Sequence, residues 1–313
     1  MGRIAALFPG QGSQVVGMGR DLADRWPAAA AVFADLDWGL GFELSSLCWN
    51  GPEDELRLTT NTQPALLAHS VAAWRVLVDA GLTVEAVAGH SLGEYSAVVA
   101  AGGLEPVDAA RTVRERGRLM QAAVPVGQGA MAALLGLDDD VVVGLCAEIS
   151  AATGEIVVAA NFNSPGQVVI AGTAGAVESA VTAAKERGAR RALPLPVSAP
   201  FHSPLMAPAR AALEPTLAAL DLRDLSVPVY RNVDAEPVRR ADEVRDGLVR
   251  QVDAPVRWTQ TIERMSAGGF DVFIEVGAGG VLCGLVKRID RGASCFQAGT
   301  VEGIERVISE LVS

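Results

Sequence analysis

The apolar positions of this chain switch between two periods, and the switching predicts the order of its elements. Ile4–Phe8 is a short apolar run ending at Pro9-Gly10-Gln11-Gly12-Ser13-Gln14, which reads as a strand closed by a turn. Thr62–Asp79 carries a helical period, Val84–Ala88 reads as a second strand, and Leu92–Ala101 as the helix that follows it. Pro106 suits the first turn of another helix, which runs to about Gln121.

From Gly129 to Ser198 the rhythm changes. Met131–Leu137 reads as a strand, Asp139–Ala151 as a helix opened by acidic residues, and Ile156–Ala160 and Gln167–Ala171 as two strands joined through Asn163-Ser164-Pro165-Gly166. Ala174–Arg187 is a second helix and Arg191–Val197 a closing strand, which makes the order β-α-β-β-α-β, a ferredoxin-like arrangement. The larger unit resumes with a helix from about Pro204 and a strand at Asp271–Val276. The expectation is an α/β protein with a largely parallel sheet, residues 1–125 and 199–313, interrupted by a small ferredoxin-like domain at 126–198. Val124-Pro125 and Ala199-Pro200 mark the crossings.

Composition adds constraints. With 313 residues, half of them hydrophobic and 20% charged, the chain can bury a sizeable core. The first apolar run is too short for a signal peptide. Two uncharged stretches, 119–137 and 156–177, are broken by Pro, Gly, Gln or Asn and keep no apolar period, so neither reads as a membrane span. A soluble, cytoplasmic protein is expected. A net charge of −11 argues against nucleic acid as a partner and requires any acidic partner to dock on a local basic patch. The four cysteines, Cys48, Cys146, Cys283 and Cys295, have no metal-ligand or redox spacing and are expected to be reduced, buried thiols.

Gly89-His90-Ser91-Leu92-Gly93 has the G-x-S-x-G form between a predicted strand and a predicted helix. A sharp strand-to-helix turn needs small residues on both sides and lifts the serine oxygen clear of the sheet. The Leu92 N–H then points at a developing oxyanion, as in an α/β-hydrolase-like domain. A serine hydroxyl needs a base, and only three histidines exist. His69 lies mid-helix among Ala65, Leu66, Ala72 and Ala73 and reads as a packing residue. His90 adjoins the serine in the elbow, where neighbouring side chains diverge. His202, in Ala199-Pro200-Phe201-His202-Ser203-Pro204 where the insert rejoins the large unit, is left as the base. No acidic residue lies near it in sequence, so the group that orients it can be a carbonyl.

On the helix from Pro106, Arg111, Arg114 and Arg118 share one side, whereas Arg116 falls on the apolar stripe with Ala109, Val113 and Met120. An arginine there needs an anion: either a protein carboxylate in a buried ion pair, or the carboxylate of a substrate gripped by the guanidinium fork. Gly277-Ala278-Gly279-Gly280 resembles a dinucleotide loop but has Leu282 in place of the third glycine, and no βαβ unit follows.

These motifs together resemble the malonyl-CoA:acyl carrier protein transacylases of bacterial fatty-acid synthesis and the related acyltransferase domains of polyketide synthases. The likeness runs through essentially the whole chain, including Phe8–Gln14, Asn61–Ala65, Gly89–Glu94, Arg116-Gly117, Gly129–Met131, Asn161–Gln167, Phe201–Ser203 and Pro255–Trp258. The resemblance implies that Ser91 carries the acyl group as an ester and that His202 acts as base and then acid. It implies that the Gln11 and Leu92 N–H groups form an oxyanion hole, that Arg116 holds the malonyl carboxylate, and that the Gln251 main-chain carbonyl orients the histidine. Phe201 and Met120 are the expected specificity residues; in polyketide acyltransferases Phe at the former position goes with malonyl. The implied mechanism is ping-pong, from malonyl-CoA to the phosphopantetheine thiol of an acyl carrier protein, with no metal or redox cofactor. Ala278 and Gly280 replace the Pro and Lys usual in the late glycine turn, and only a local effect is expected. The basic cluster Lys185, Arg187, Arg190 and Arg191 could dock an acidic carrier. Two other readings are a trans-acting acyltransferase that serves a polyketide synthase, and a serine esterase or thioesterase.

Overall fold

The computed structural model describes residues 2–197 and 199–312; Ser198, the last residue of the expected insert, lies outside the described residues, as do Met1 and Ser313. Among the described residues ten strands form two sheets. They are β1 (Arg3–Phe8), β2 (Ala86–Gly89), β3 (Gly129–Leu135), β4 (Val157–Ser164) and β5 (Gln167–Thr173). The rest are β6 (Arg191–Pro194), β7 (Val229–Tyr230), β8 (Pro237–Val238), β9 (Phe270–Val276) and β10 (Ser294–Ala298).

The larger sheet has the order β10-β9-β1-β2-β7-β8 and is parallel except for β8. Its central strands are buried on both faces because helices cover both, as a parallel sheet requires. Ala6, Phe8 and Val87 pack toward the helices Thr59–Asp79, Gly93–Ala100 and Pro106–Ala122. Ala5, Leu7, Ala86 and Ala88 pack on the opposite face with Trp258, Ile262, Met265 and Leu285.

The smaller sheet has the order β4-β5-β3-β6, antiparallel throughout, which is the ferredoxin-like arrangement. Strand alternation divides its two faces. Ala132, Leu134, Val168 and Ile170 pack against its own helices, Asp139–Thr153 and Ala174–Glu186. Met131, Val169 and Ala171 turn the other way and join the core of the larger sheet. A second tie is a parallel bridge from Asn161 to Val256, with the Phe162 N–H donating to Val256 O (2.9 Å) and the Val256 N–H to Ala160 O (2.9 Å).

Several elements differ from the pattern-based expectation. β3 stops at Leu135, not Leu137, because Gly136 takes a φ of 94° and ends the extended run. The helix expected from Pro204 opens as a single 3-10 turn, Pro204–Met206, before Ala207–Ala219. Four helices fill residues 20–57, where no element was expected. The longest of them, Pro27–Leu40, is alanine-rich and has no strong apolar stripe. The expectation of four reduced thiols holds for Cys48 and Cys146, which are buried and free, and fails for the other two. Cys283, on the helix Val281–Ile289, and Cys295, on β10, are joined by a disulfide. That helix and the next strand pack side by side, bringing their Cα atoms to 5.3 Å across a separation of 12 residues.

Candidate active site

Three parallel strands end together at the site. β1 and β2 are in register to Phe8 and Gly89, and β7 ends beside β2 at Tyr230. The residues just past these ends are therefore neighbours: Gly10 and Gln11, His90 and Ser91, Arg231 and Asn232. Such carboxyl ends are where open α/β sheets gather their chemistry.

The two glycines around Ser91 are needed by space. A Cβ on Gly89 would stand 1.9 Å from the Gly93 carbonyl, and a Cβ on Gly93 would stand 2.0 Å from Phe8 O. With both absent the chain turns directly from strand into helix, and Ser91 is forced into a left-handed backbone, φ 52°. A non-glycine residue pays a steric cost there, and such residues cluster at functional sites. Among the described residues the Leu92 N–H donates no hydrogen bond, as expected at a helix start, and neither does the Gln11 N–H in the turn after β1.

Ser91 Oγ donates to His202 Nε2 at 2.7 Å, and His202 Nδ1–H donates to the main-chain oxygen of Gln251 at 3.0 Å. That pattern fixes the neutral tautomer with Nε2 as the acceptor. His202 is buried and also left-handed, φ 59°. Burial, then the Arg116 guanidinium, push its pKa down to about 3, so the ring stays neutral at physiological pH. Neither of the other two histidines bonds Ser91: His69 Nε2 meets Gly299 O (2.9 Å), and His90, which lines the same cavity, meets Asn163 Oδ1 through Nε2 (2.8 Å).

Arg116 is almost wholly buried, as its helical phase predicts. Among the described residues no carboxylate lies within ion-pair distance of it. Its guanidinium donates to Gln63 Oε1 (2.8 Å), Gln251 Oε1 (2.9 Å) and Ser91 Oγ (3.1 Å), and its Nε–H has no partner among them. Both side-chain amides and the hydroxyl that accept from it are neutral, so the buried cation is solvated by dipoles with no counter-ion in contact, and the Glu94 carboxyl acts on it only from beyond Gln251.

Ser91, His202, Arg116, Gln11, Met120 and Phe201 all line one cavity of about 570 Å³ between the two sheets. Arg111, Arg114 and Arg118 line a separate surface hollow on the far side of their helix. The basic cluster is split. Arg187 pairs with Glu148, while Lys185, Arg190 and Arg191 are exposed and make no ion pair among the described residues. The Gly277–Gly280 turn does open a helix, but the Glu275 carboxylate accepts its first N–H groups, from Leu282 (3.0 Å) and Cys283 (2.8 Å). A protein carboxylate occupies the place where a dinucleotide phosphate would sit.

Three side chains at the site were given no role from the sequence: Gln63 and Glu94, which stand in the family-like segments Asn61–Ala65 and Gly89–Glu94, and Asn232, which stands in none. Asn232 accepts the Ser91 N–H (2.6 Å) and donates to Gly89 O (2.7 Å). Glu94 Oε2 accepts the Asn232 N–H (3.0 Å) and Gln251 Nε2 (2.8 Å), and burial raises its pKa to about 7. An acid inside the apolar helix after the elbow was a usable signal for Glu94; Asn232 had none.

A strained serine that a parallel α/β sheet presents to a neutral histidine is an arrangement in which the serine can act as nucleophile and the histidine as base. Residues 6–302 match the family model for the acyl transferase domain, and the chain belongs to that family. It is 50% identical to the malonyl CoA-acyl carrier protein transacylase of Haemophilus influenzae, over the full length of both chains. The solved transacylase from Coxiella burnetii superposes with a TM-score of 0.97 at 40% identity, covering 100% of this chain and 98% of that one. A malonyl-transacylase solved in complex with its type II polyketide acyl-carrier protein superposes at 0.95 with 46% identity, covering 98% and 99%.

Proposed function

We propose that this protein transfers a malonyl group from malonyl-CoA to the phosphopantetheine thiol of an acyl carrier protein, through an ester on Ser91. The observation that carries the reading is Arg116: a buried guanidinium with only neutral acceptors, bonded to the hydroxyl beside the base. A substrate carboxylate supplies the missing counter-ion.

Ser91 Oγ attacks the thioester carbonyl as His202 Nε2 takes its proton. The Leu92 and Gln11 N–H groups hold the resulting oxyanion. Collapse breaks the C–S bond, and the His202 proton passes to the departing coenzyme A thiolate. The carrier thiol then gives its proton to His202 and attacks the ester, returning the serine hydroxyl. Arg116 holds the malonyl carboxylate through both halves. The Gln251 carbonyl keeps the imidazole in its tautomer, the part a carboxylate plays in serine hydrolases. Phe201 and Met120 bound the space beside the acyl α-carbon. Residues 126–198 form an inserted unit that closes the cleft over the catalytic unit, 1–125 and 199–313. The acidic carrier docks at Lys185, Arg190 and Arg191, with Arg187 held back by Glu148. The reaction belongs to the cytoplasm.

Intact-mass analysis after mixing with malonyl-CoA tests this. The wild type should gain one malonyl group and lose it when carrier protein bearing phosphopantetheine is added, and Ser91→Ala should gain nothing. Hydrolysis of malonyl-CoA without transfer would instead establish a thioesterase.

A further inference from the structure

The hydrogen bonds behind the Ser91–His202 pair converge on one buried carboxyl that takes no part in the chemistry above. Glu94 is 1% exposed, and both donors it receives, the Asn232 N–H and Gln251 Nε2, go to the same oxygen. Each of those residues is itself a clamp. Asn232 grips the elbow just ahead of the serine, accepting the Ser91 N–H and donating to Gly89 O. Gln251 gives its main-chain oxygen to His202, donates from Nε2 to Ser91 O (2.9 Å), and presents Oε1 to Arg116.

We propose that Glu94 and Asn232 are positioning residues that lock the strained Ser91 backbone to the residue orienting His202. The inference rests on Ser91 and His202 being the reacting pair. Burying a carboxyl is costly and an apolar side chain would fill the core more cheaply, so its presence calls for a reason. The geometry supplies one. A left-handed serine relaxes unless its neighbours over-determine it; the Asn232 side chain fastens the two peptide groups ahead of Ser91, and Gln251 Nε2 holds Ser91 O behind it. Glu94 also sets which end of the Gln251 amide faces which partner. The amide nitrogen must face Glu94, so the oxygen faces Arg116. Without that acceptor the amide keeps only Ser91 O and the guanidinium to hold its orientation, and the Gln251 backbone that orients His202 is less firmly anchored.

The test combines substitutions with two rates: malonyl transfer, and phosphonylation of Ser91 by a small fluorophosphonate, which reads the serine–histidine pair without a substrate carboxylate. Glu94→Ala should lower kcat and the phosphonylation rate together, on the order of 10–100-fold for a misplaced nucleophile, with KM for malonyl-CoA little changed. Because both donors share one oxygen, the amide oxygen of Glu94→Gln can serve both, and this variant should restore most of both rates. Asn232→Asp keeps the shape but turns an oxygen toward Gly89 O, and it should reproduce the loss. A folded Glu94→Ala with wild-type kcat, or a loss confined to KM, would overturn the proposal. So would a folded Glu94→Gln no faster than Glu94→Ala. If Glu94→Ala does not fold, Asn232→Asp decides: wild-type rates in that variant would equally overturn it. A wild type that is phosphonylated but never malonylated would refute the acyl-group assignment and leave this inference standing.

Discussion

At the scale of single residues, Arg116 shows how a charge reveals its purpose by what it lacks. Its neighbours solvate the cation without neutralising it, through two glutamine oxygens and the Ser91 hydroxyl. Arg116→Ala should therefore penalise malonyl-CoA more than acetyl-CoA, which has no carboxylate to leave unpaired. Removing one partner of a buried pair costs about 2–5 kcal/mol, so the malonyl-to-acetyl ratio of kcat/KM should fall by roughly 30-fold or more. Equal losses on both substrates would make Arg116 structural. His69 tests burial in a simpler setting. Its pKa is lowered to about 4, chiefly by burial, against about 6.5 unfolded. The unfolded chain then takes up a proton that the folded one refuses, so wild-type stability falls as pH drops through that window. Relative to the non-titrating His69→Gln, the wild type should lose about 1.4 kcal/mol per pH unit below about pH 6.5. Denaturant unfolding of both proteins at several pH values checks this, and parallel stability curves would contradict it.

At the scale of elements, the elbow depends on two backbones passing where no side chain fits. The start of the helix Gly93–Ala100 lies against the end of β1, and a methyl group on Gly93 would overlap Phe8 O. Gly93→Ala should thus push the helix start away from β1, with a stability loss on the order of 1–3 kcal/mol. The loss in ester formation should be larger than stability alone accounts for, because the Leu92 N–H and Ser91 Oγ move with the helix. Thermal unfolding and intact-mass loading on one preparation separate the two effects. A variant that loads at the wild-type rate would show that the elbow tolerates the shift. The strand ends set a similar constraint: a Cβ on Gly10 would stand 2.4 Å from His90 O, which is why the turn bearing Gln11 can lie against the elbow.

At the scale of the whole molecule, an enzyme of net charge −11 must receive an acidic partner through a local exception to its own field. Arg187 is already neutralised by Glu148, leaving Lys185, Arg190 and Arg191 as the free charges of that cluster among the described residues. Reversing Arg190 and Arg191 to Glu should slow transfer from enzyme to carrier and flatten its salt dependence. Loading of Ser91 from malonyl-CoA should barely change, because no carrier takes part in it. Loss of both half-reactions would indicate a damaged fold, and loss of neither would place the docking surface elsewhere.

How much could be read before folding depended on the sequence distance over which each feature is encoded. The elbow was legible because Gly89, Ser91 and Gly93 lie within five positions, and a tight turn is a local demand. The burial of Arg116 was legible because a helix repeats every 3.6 residues, so its phase against Ala109 and Val113 is written in the spacing. The ferredoxin-like order was legible for the same reason, as a change of period along the chain. His202 could be singled out because only two other histidines competed with it, and Gln251 only through likeness to a family. Three-dimensional closure was needed for everything that joins distant segments. Asn232 meets Ser91 across 141 positions, Gln251 meets Glu94 across 157, and Gln63 reaches Arg116 across 53. No period or turn signal spans such gaps. The same holds for the Cys283–Cys295 bond, read as two free thiols from their spacing and brought together by a helix packed against the next strand. Local chemistry specified the turn, the helix phase and the order of strands. The convergence of three strand ends then chose which polar side chains would meet, because contacts between distant segments arise from packing and not from order along the chain.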